Sequence, residues 1–356
     1  MKRTGGLIIV SRKEVADLAK VSEATVSRVL NNVGPIKEET RQRVIDAANE
    51  LNYAPSALAR NFATSKSGNI GVILPYLPKV NMFSTYFFSE ILSGIGSMSR
   101  EFGYDLLLLF RPMDDVLNYY SQLFHTHKVD ALIVLGSKED PIELEALRRL
   151  KEEGRHFCLI NQHYDGEGFS EVDATHEKGS YEAVTHLIQQ GYKEIAFING
   201  PDEYSNSRER SAGYRRALHD HGLEVNQSLL FTGNFGRKSG YAVASSVFAR
   251  LNEVDAIFAS NDRMAIGLHQ GLRDLGIPWN QLPGMIGFDD SDIAELTTPT
   301  LSSVKVPFFQ MGELAAENLL SRLRPSSLGM QDHFRIQLPT ELMIRESSLR
   351  TDSKEE

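Results

Sequence analysis

The sequence predicts an α/β fold in two parts. The first is an all-α helix-turn-helix head with a short hinge helix, and the second is a two-lobed body with two parallel, doubly wound sheets. In residues 11–64, apolar side chains recur at helical spacing. From Asn69 onward, short apolar runs alternate with helical stretches, and this alternation occurs twice in succession. Near-continuous apolar strands between helices indicate a parallel sheet that is covered on both faces.

The first helix of the head is predicted to begin after Ser11. Glu14 follows three residues later, and the two form a capping-box pattern. Residues three and four apart share one face of a helix, so Val15, Leu18 and Ala19 are expected to face inward.

The second helix, EATVSRVLNN, follows a turn at Val21 and Ser22, and we expect Ser22 to cap it. Val26, Val29 and Leu30 should face inward. The opposite face is polar and carries Glu23, Ala24, Ser27, Arg28 and Asn31. A face of short side chains with one arginine suits the DNA major groove, where arginine can donate two hydrogen bonds to guanine.

The chain here resembles a known family. VADLAKVSEATVSRVLNN and ELNYAPSALARNFA look like segments of the lactose/galactose repressor family of bacterial transcription factors. The resemblance covers nearly the whole chain, residues 10 to 346, and ATVSRVLN and NYxPSxxAR are specific motifs. It implies a DNA-binding transcriptional regulator, a repressor that is not an enzyme. It also implies a periplasmic-binding-protein-like body whose chain crosses between the lobes near residues 172, 304 and 334.

On this resemblance, each head should read half of a palindromic operator in double-stranded DNA. The expected major-groove residues are Ser22, Glu23, Ala24, Thr25, Ser27, Arg28 and Asn31. Ser11 and Arg12 are expected to contact the DNA backbone. Arg28 should read guanine, whereas Glu23 either accepts a hydrogen bond from cytosine or only complements the positive helix N-terminus.

A third helix is predicted from about Lys37 to Asn52. Family members usually begin this helix with a serine, and Lys37 stands in that place, so its cap should be weak. Its inner face is expected to hold Val44, Ala47, Ala48 and Leu51.

Pro55 then opens SALARNFA, a pattern of about two helical turns. So short a helix is unstable alone in water, and we expect it to order only against its dimer mate and DNA. The family has a leucine at the Phe62 position that wedges between base pairs in the minor groove, and packing of this ring onto the body is the alternative. The hinge residues expected at the minor groove are Ser56, Leu58, Ala59, Arg60 and Phe62.

The expected domain organisation follows from these patterns and from the resemblance. It comprises a head at 1–55, a hinge and linker at 56–67, a first lobe at 68–172 plus 305–333, a second lobe at 173–304 plus 334–346, and a disordered tail at 347–356. That tail lacks a leucine heptad. We therefore expect no tetramerising tail of the kind that some family members have, and we expect a homodimer.

A ligand cleft is expected at the carboxyl ends of the strands in the two lobes. Arg210, Asn261 and Asp289 match ligand-binding positions of the family, and Phe235 and Phe308 match aromatic positions that line its cleft. Asp262 is expected to cap the next helix, and Asp290 to be structural. Candidates in the first lobe are Phe87, Phe88, Ser137 and Asn161, the last standing where many members carry aspartate.

The effector is expected to be a small molecule, with a sugar or sugar derivative favoured and a purine or other metabolite corepressor as the alternative. Aromatic rings pack equally well on the CH face of a sugar and on a purine. The residues leave open the effector's identity, its role as inducer or corepressor, the operator and the regulated genes.

Composition limits the other function classes. The net charge is −9, but residues 1–64 hold ten Lys/Arg against seven Asp/Glu, a net of +3, so the remainder carries −12. Only the head needs to approach phosphates. The single cysteine, Cys158, excludes an internal disulfide and fits a reducing cytoplasm. No apolar run is long enough for a membrane span, and LIIV is too short for an export signal. We therefore expect a soluble, cytoplasmic bacterial protein with no membrane partner.

No motif for a phosphate loop, a dinucleotide fold, a zinc site or a serine nucleophile is complete. We therefore expect no catalytic residue, no metal and no cofactor. Two other classes share the body's pattern. A sugar-binding transport protein would need an export signal in place of residues 1–64, and a sugar-processing enzyme would need catalytic groups in the cleft.

Overall fold

The computed structural model describes residues 10–30, 33–53, 66–76, 82–112, 114–324 and 333–350. The chain divides into two compact units, Met1–Ser67 and Gly68–Glu356. None of the described helices is long and apolar enough to cross a membrane. Several of the predicted DNA-contacting residues lie outside the described residues, namely Asn31, Ser56, Leu58, Ala59, Arg60 and Phe62.

The described part of the first unit contains the helices α1 (Arg12–Ala19), α2 (Glu23–Leu30) and α3 (Glu38–Glu50). Both halves of the predicted capping box are formed at α1. The Ser11 N–H donates to Oε2 of Glu14 at 2.7 Å, and the Glu14 N–H donates to Oγ of Ser11 at 3.4 Å. Oγ of Ser22 accepts the Thr25 N–H at 3.2 Å at the start of α2. Lys37 precedes α3 and supplies no side-chain cap, as its identity predicts.

The core of this unit is small and aliphatic, and consists of Val15, Ala16, Ala19, Val26, Val29, Val44, Ala47 and Ala48. Leu18 was expected to face inward, but it is 43% exposed. The buried side chains of α1 are Val15, Ala16 and Ala19, so the inner face of the helix is rotated toward Ala16 and away from Leu18. Leu30 and Leu51 are only partly buried against this core.

The second unit contains two six-stranded sheets, one in each lobe. The first sheet is built from β1 (Asn69–Leu74), β2 (Asp105–Phe110), β3 (Ala131–Leu135), β4 (Phe157–Ile160), β5 (Glu171–Ala174) and β11 (Arg335–Leu338). Its order is β11-β5-β4-β3-β1-β2, and neighbouring strands run parallel. The helices α4 (Tyr86–Phe102) and α11 (Phe308–Arg322) cover one face, and α5 (Val116–His125) and α6 (Pro141–Glu152) cover the other.

The second sheet is built from β6 (Ile195–Asn199), β7 (Leu230–Thr232), β8 (Ala256–Ala259), β9 (Gly284–Asp289), β10 (Ser302–Lys305) and β12 (Glu341–Met343). Its order is β12-β10-β9-β8-β6-β7. The strands run parallel apart from β12, which pairs antiparallel with β10. The helices α7 (His176–Gln189) and α8 (Ser205–Asp220) cover one face, and α9 (Arg237–Phe248) and α10 (Asp262–Asp274) cover the other.

The last crossing between the lobes lies later in the chain than the family resemblance implies. We placed residues 334–346 in the second lobe, but β11 pairs in parallel with β5 and completes the first sheet. The chain crosses after Leu338, and β12 then joins the second sheet. The extra pairing satisfies backbone groups at the edge of β5 that would otherwise remain open.

The end of the described chain is packed against the second lobe, although we expected a disordered tail from residue 347. Oγ of Ser348 lies 2.9 Å from Nε2 of His186, and the Ser347 hydroxyl donates to the carbonyl oxygen of Met285 at 2.6 Å. Ser348 is fully buried. These polar contacts order a segment whose hydrophilic composition indicated disorder.

Glycine allows α4 and α11 to pack in close contact. A Cβ atom on Gly94 would lie 2.0 Å from the carbonyl oxygen of Phe309, and one on Gly312 would lie 2.3 Å from that of Ile91. Gly96, on the same helix, has no neighbouring heavy atom within 4 Å of such a Cβ. Side chains are therefore excluded at the crossing point of these two helices.

Candidate functional site

The second helix of the head presents the predicted polar face to solvent. Ser22, Glu23, Ala24 and Arg28 are exposed, and Thr25 and Ser27 are partly exposed. Val26 and Val29 anchor the opposite side in the core. Among the described residues, no ion pair engages the guanidinium of Arg28. The helix therefore offers a polar surface with one available arginine.

Two predicted DNA-contacting residues bind each other. Nε of Arg12 lies 3.3 Å from Oε2 of Glu23, and both side chains are about half exposed. Sequence reasoning treated Arg12 and Glu23 separately because they belong to different helices. An exposed ion pair contributes about 0–1 kcal/mol, so breaking it costs little.

A cavity of about 310 Å³ lies between the two lobes, at the carboxyl ends of their parallel strands. Eight of the nine predicted effector-binding residues line it. They are Phe87, Phe88, Asn161, Arg210, Phe235, Asn261, Asp289 and Phe308. The residues that match ligand-binding positions of the family therefore line a single cavity.

Ser137 is the exception. It is fully buried, and its Oγ lies 2.8 Å from the hydroxyl oxygen of Tyr164. The residue of this loop that lines the cavity is Gly136. Successive residues at a strand end point in different directions, and the sequence does not reveal which one faces the cleft.

Arg210 lies in α8 and is 2% exposed. Its Nη1 donates to the carbonyl oxygen of Ser260, and the guanidinium lies 4.0 Å from the ring centroid of Phe288. Its Nε is buried without a hydrogen-bond partner among the described residues. Burial lowers the pKa of Arg210, and the nearby Asp289 opposes this effect. The cleft therefore contains a buried cation whose direct partners are neutral.

His176 links Arg210 to the first lobe. Nη2 of Arg210 lies 3.3 Å from Nδ1 of His176, and Nε2 of His176 lies 2.8 Å from Oδ1 of Asn161 and 3.1 Å from Oδ1 of Asp173. Burial lowers the pKa of the ring, and Arg210 adds to this effect. The imidazole is therefore neutral, and it joins the two lobes behind the cleft.

Asn261 is the N-cap of α10, and not Asp262 as we expected. Oδ1 of Asn261 accepts the Met264 N–H at 3.0 Å, and its Nδ2 donates to the carbonyl oxygen of Phe235 at 3.0 Å. Asp262 is fully buried and accepts from the backbone and hydroxyl of Ser291 at 2.7 and 2.8 Å. Either side chain could have capped the helix, and only the tertiary contacts of Asp262 decide between them.

Asp289 ends β9 and is buried in the wall of the cleft. Its carboxylate makes no hydrogen bond to another described residue. Burial raises its pKa well above the usual range, while Arg210 lowers it and Asp262 raises it further. The next residue, Asp290, is structural as expected, because its Oδ1 lies 2.7 Å from Nη1 of Arg345.

Aromatic rings form the first-lobe wall of the cleft. Phe308 is 2% exposed and contacts Phe87 edge to face, with ring centroids 5.1 Å apart. Phe87 in turn contacts Phe88 at 4.8 Å. Phe235 of the second lobe contacts Tyr204, with ring centroids 5.8 Å apart. The cleft thus combines flat apolar surfaces with convergent polar groups, as ligand cavities generally do.

Sequence reasoning missed several residues of the cavity wall. The polar ones are Thr85, Tyr86, Gln162, Tyr204, Asn206, Asn234, Arg263 and Ser291. Arg263 donates from Nη1 to Oγ1 of Thr85 at 3.0 Å and so connects the two lobes. Arg263 lies two residues after the predicted Asn261. This closeness in sequence is the feature from which its place in the cavity wall could have been predicted.

A group of ionisable side chains from both lobes has ligand atoms within 4.8 Å of one another, namely His163, Asp173 and Glu209. Such a donor set is one that a divalent cation accepts. Nδ1 of His163 lies 3.0 Å from Oδ2 of Asp173, and this bond raises the pKa of His163. Burial raises the pKa of Glu209 to about 7. A hydrogen-bonded pair therefore accounts for two of the three side chains.

Comparisons with known proteins match both units. The model for bacterial regulatory proteins, lacI family, matches residues 12–56, and the model for a periplasmic binding protein-like domain matches residues 184–348. The "Probable HTH-type transcriptional repressor ExuR" of Bacillus subtilis (strain 168) is 31% identical over 339 residues, which are 95% of this chain and 98% of that protein. The HTH-type transcriptional repressor PurR of Vibrio campbellii (strain ATCC BAA-1116) is 32% identical over 328 residues, 88% of this chain and 91% of that protein.

Solved structures show the same architecture. A complex of the transcriptional regulator CelR with cellobiose superposes with a TM-score of 0.72 at 28% identity, covering 95% of this chain and 99% of that one. The Lac repressor dimer bound to operator and the anti-inducer ONPF superposes with a TM-score of 0.83 at 23% identity, covering 96% of this chain and 99% of that one. This second likeness shows the fold alone.

Proposed function

Because the chain belongs to the lacI family of bacterial regulatory proteins, we propose that it represses transcription by binding a palindromic operator as a homodimer, under the control of a small-molecule effector. Members of this family are DNA-binding transcriptional regulators and not enzymes. The proposed regulated genes serve carbohydrate use, and the proposed site of action is the cytoplasm, where the chromosome lies.

The observation that carries the proposal is the convergence of polar groups in the cleft between the lobes. Arg210, Asn261 and Asp289 come from separate segments of the second lobe and line one cavity with Asn161 of the first lobe. A ligand that contacts both lobes stabilises whichever lobe arrangement it binds more tightly. Ligand binding in the cleft can therefore change the arrangement of the two lobes.

A sugar is the proposed effector class. Carboxylate, amide and guanidinium groups hydrogen-bond hydroxyls, and aromatic rings such as Phe87 and Phe308 pack on the CH face of a sugar ring. CelR, which shares the fold at 28% identity, has been solved with cellobiose. The same rings also suit a purine, so a purine corepressor is the second candidate.

On the DNA side, we propose that α2 enters the major groove and that Arg28 reads guanine. The other proposed major-groove contacts are Ser22, Glu23, Ala24, Thr25, Ser27 and Asn31. Ser11 and Arg12 are proposed to bind phosphates, and the hinge residues Ser56, Leu58, Ala59, Arg60 and Phe62 to lie at the minor groove. The exposure of Arg28 supports its assignment as the residue that reads guanine.

Selection from a random library of double-stranded DNA, followed by fluorescence anisotropy at fixed salt, tests the proposal. Salt is held constant because DNA affinity falls steeply as counterions compete. The selected sequences should be palindromic, and one member of a panel of sugars, sugar acids, sugar phosphates and purines should change the affinity. Recovery of no preferred sequence would contradict the proposal.

A pair of variants connects the response to the cleft. Arg210→Gln should lose the effect of the active ligand, because the buried guanidinium is removed. Arg215→Gln changes an exposed arginine of the same helix and should keep the response. Equal responses in the two variants would show that the ligand acts elsewhere.

A further inference from the structure

We propose that the effector carries an anionic group, a carboxylate or a phosphate, which the guanidinium groups of Arg210 and Arg263 hold in the cleft. This inference rests on the proposed function, because it takes the cavity between the lobes as the effector site. It narrows the ligand class from sugars in general to sugar acids or sugar phosphates.

The first ground is the balance of charge in the cleft. Apart from tyrosines, the ionisable side chains among its described lining residues are Arg210, Arg263 and Asp289. Two cations therefore face one carboxyl group. A neutral ligand leaves this excess of positive charge in place, whereas an anionic ligand reduces it.

The second ground is that neither arginine has a carboxylate partner. Nη1 and Nη2 of Arg210 bond to the carbonyl oxygen of Ser260 and the ring of His176, and the bonded partner of Arg263 is the hydroxyl of Thr85. Among the described residues, neither guanidinium forms an ion pair with Asp289 or with another carboxylate. Asp289 stabilises both cations only from a distance, and a charge removed from water is best stabilised by a partner that bonds to it directly. An anionic ligand would supply the missing partner.

The third ground is the buried Nε of Arg210, which has no hydrogen-bond partner among the described residues. Arg210 is 2% exposed and lines the cavity. A buried N–H left unpaired destabilises the protein until an acceptor arrives. The planar guanidinium binds carboxylate and phosphate oxygens through paired N–H bonds, so the unused donor favours a ligand rich in acceptor oxygens.

Asp289 does not oppose such a ligand. Burial raises the pKa of this carboxyl well above its usual range, so the group holds a proton more readily than an exposed aspartate. In the protonated form it donates a hydrogen bond. An anionic ligand would therefore meet two cations and one donor in the cleft.

Arg263 also gives the anion a way to act on both lobes. The residue belongs to α10 in the second lobe, and its Nη1 bonds to Thr85 at the start of α4 in the first lobe. A ligand anion bound to this guanidinium either replaces the bond to Thr85 or adds to it. In both cases the contact between the lobes depends on the ligand's charge.

The test is isothermal titration calorimetry of the full chain at constant ionic strength. Each anionic ligand is compared with an uncharged parent sugar. Glucuronate, galacturonate and gluconate are compared with glucose and galactose, and glucose 6-phosphate with glucose. An anionic member should bind at least about tenfold more tightly than its uncharged parent, the effect expected from one hydrogen bond to a charged group. Preference for a carboxylate or for a phosphate identifies which anion the site takes.

Variants of one helix show whether the arginine is responsible. Arg263→Gln should reduce the preference for the anion by about tenfold or more, and Arg263→Lys should keep part of it, since the charge remains without the planar fork. Arg273→Gln removes an exposed charge from the same helix and should keep the preference in full. Retention of part of the preference by Arg263→Lys also shows that the altered cleft still folds.

Two results would overturn the inference. If a neutral sugar or a purine binds more tightly than every anion, the effector is not anionic. The proposed function as an effector-controlled regulator would still hold. Failure of every anion in the panel to bind also overturns the inference. Operator binding, measured in parallel, then shows whether the proposed regulatory function still holds. Unchanged anion preference in Arg263→Gln removes Arg263 from the site.

Discussion

The guanidinium of Arg210 donates to the ring of His176, with Nη2 3.3 Å from Nδ1. Because arginine only donates, Nδ1 must accept, and the ring proton must lie on Nε2. That nitrogen faces Oδ1 of Asn161 at 2.8 Å and Oδ1 of Asp173 at 3.1 Å, and both oxygens accept. One neutral tautomer of His176 therefore satisfies groups from both lobes and fixes the orientation of the arginine in the cleft.

We expect His176 to make stability fall in mild acid. The folded ring has a pKa below its ordinary value of 6.5, because of burial and then of Arg210. Below about pH 6.5 the unfolded chain binds a proton that the folded chain does not, so the unfolded state is favoured as the pH decreases. Urea unfolding at about pH 7.5 and about pH 5.5 should show a smaller loss in His176→Gln than in the parent. His186 and His269, whose pKa values are also lowered, remain in both proteins. An identical loss in the two would contradict the assignment.

Two glycines of α4 should respond oppositely to the same substitution. Gly94→Ala should destabilise the body by about 1–3 kcal/mol, because its Cβ would meet the carbonyl oxygen of Phe309 in α11. Gly96→Ala meets open space and should stabilise the helix by up to about 1 kcal/mol. Urea unfolding of both variants is the measurement. Equal effects would rule out close packing of the two helices.

Replacing Lys37 with serine should strengthen the start of α3. Lys37 is the N-cap residue and has a non-helical backbone, φ −58° and ψ 137°, but its side chain makes no hydrogen bond to the helix. A serine hydroxyl there should add about 0.5–2 kcal/mol. Amide hydrogen exchange in α3 should slow in Lys37→Ser. Lys37→Ala removes the same charge without adding a cap, so equal slowing in both variants would assign the gain to charge.

Arg28 should confer specificity at one base pair. Arg28→Lys keeps the positive charge but loses the planar fork that matches guanine. We expect the DNA-binding free energy to weaken by about 1–3 kcal/mol for that base pair and to change little for the others. Anisotropy with single-base operator variants at fixed salt measures it. A uniform loss over all base pairs would make Arg28 a phosphate contact.

The arrangement of the body could be predicted because its strands are apolar on both faces. Ile70, Val72 and Ile73 of β1 are all fully buried, and a run of this kind between helices indicates a parallel sheet. β11 alternates exposed and partly buried residues, as an edge strand does. That pattern is short and weak, and the family resemblance, which placed the last crossing near residue 334, put it too early.

The candidate site could be located but not completed. Asn261 and Asp289 follow buried strands, and that position predicts the cleft. The bonds of Arg263 to Thr85 and of Arg210 to His176 join residues that are distant in sequence. No local pattern contains such pairs, since they depend on how separate helices and lobes pack together. For the same reason the ion pair between Arg12 and Glu23 was missed.

β11 and β12 lie after all the other strands in the sequence, and this order affects the chain during its synthesis. Each is an edge strand of a different sheet, and only two residues separate them. A ribosome adds about 5–20 residues per second from the N-terminus, so both strands emerge after all the others. Until then β5 and β10 are open edges, which attract unwanted strand pairing. A nascent chain therefore carries the open edge of β5 from residue 174 onward and that of β10 from residue 305 onward, until the two late strands pair with them.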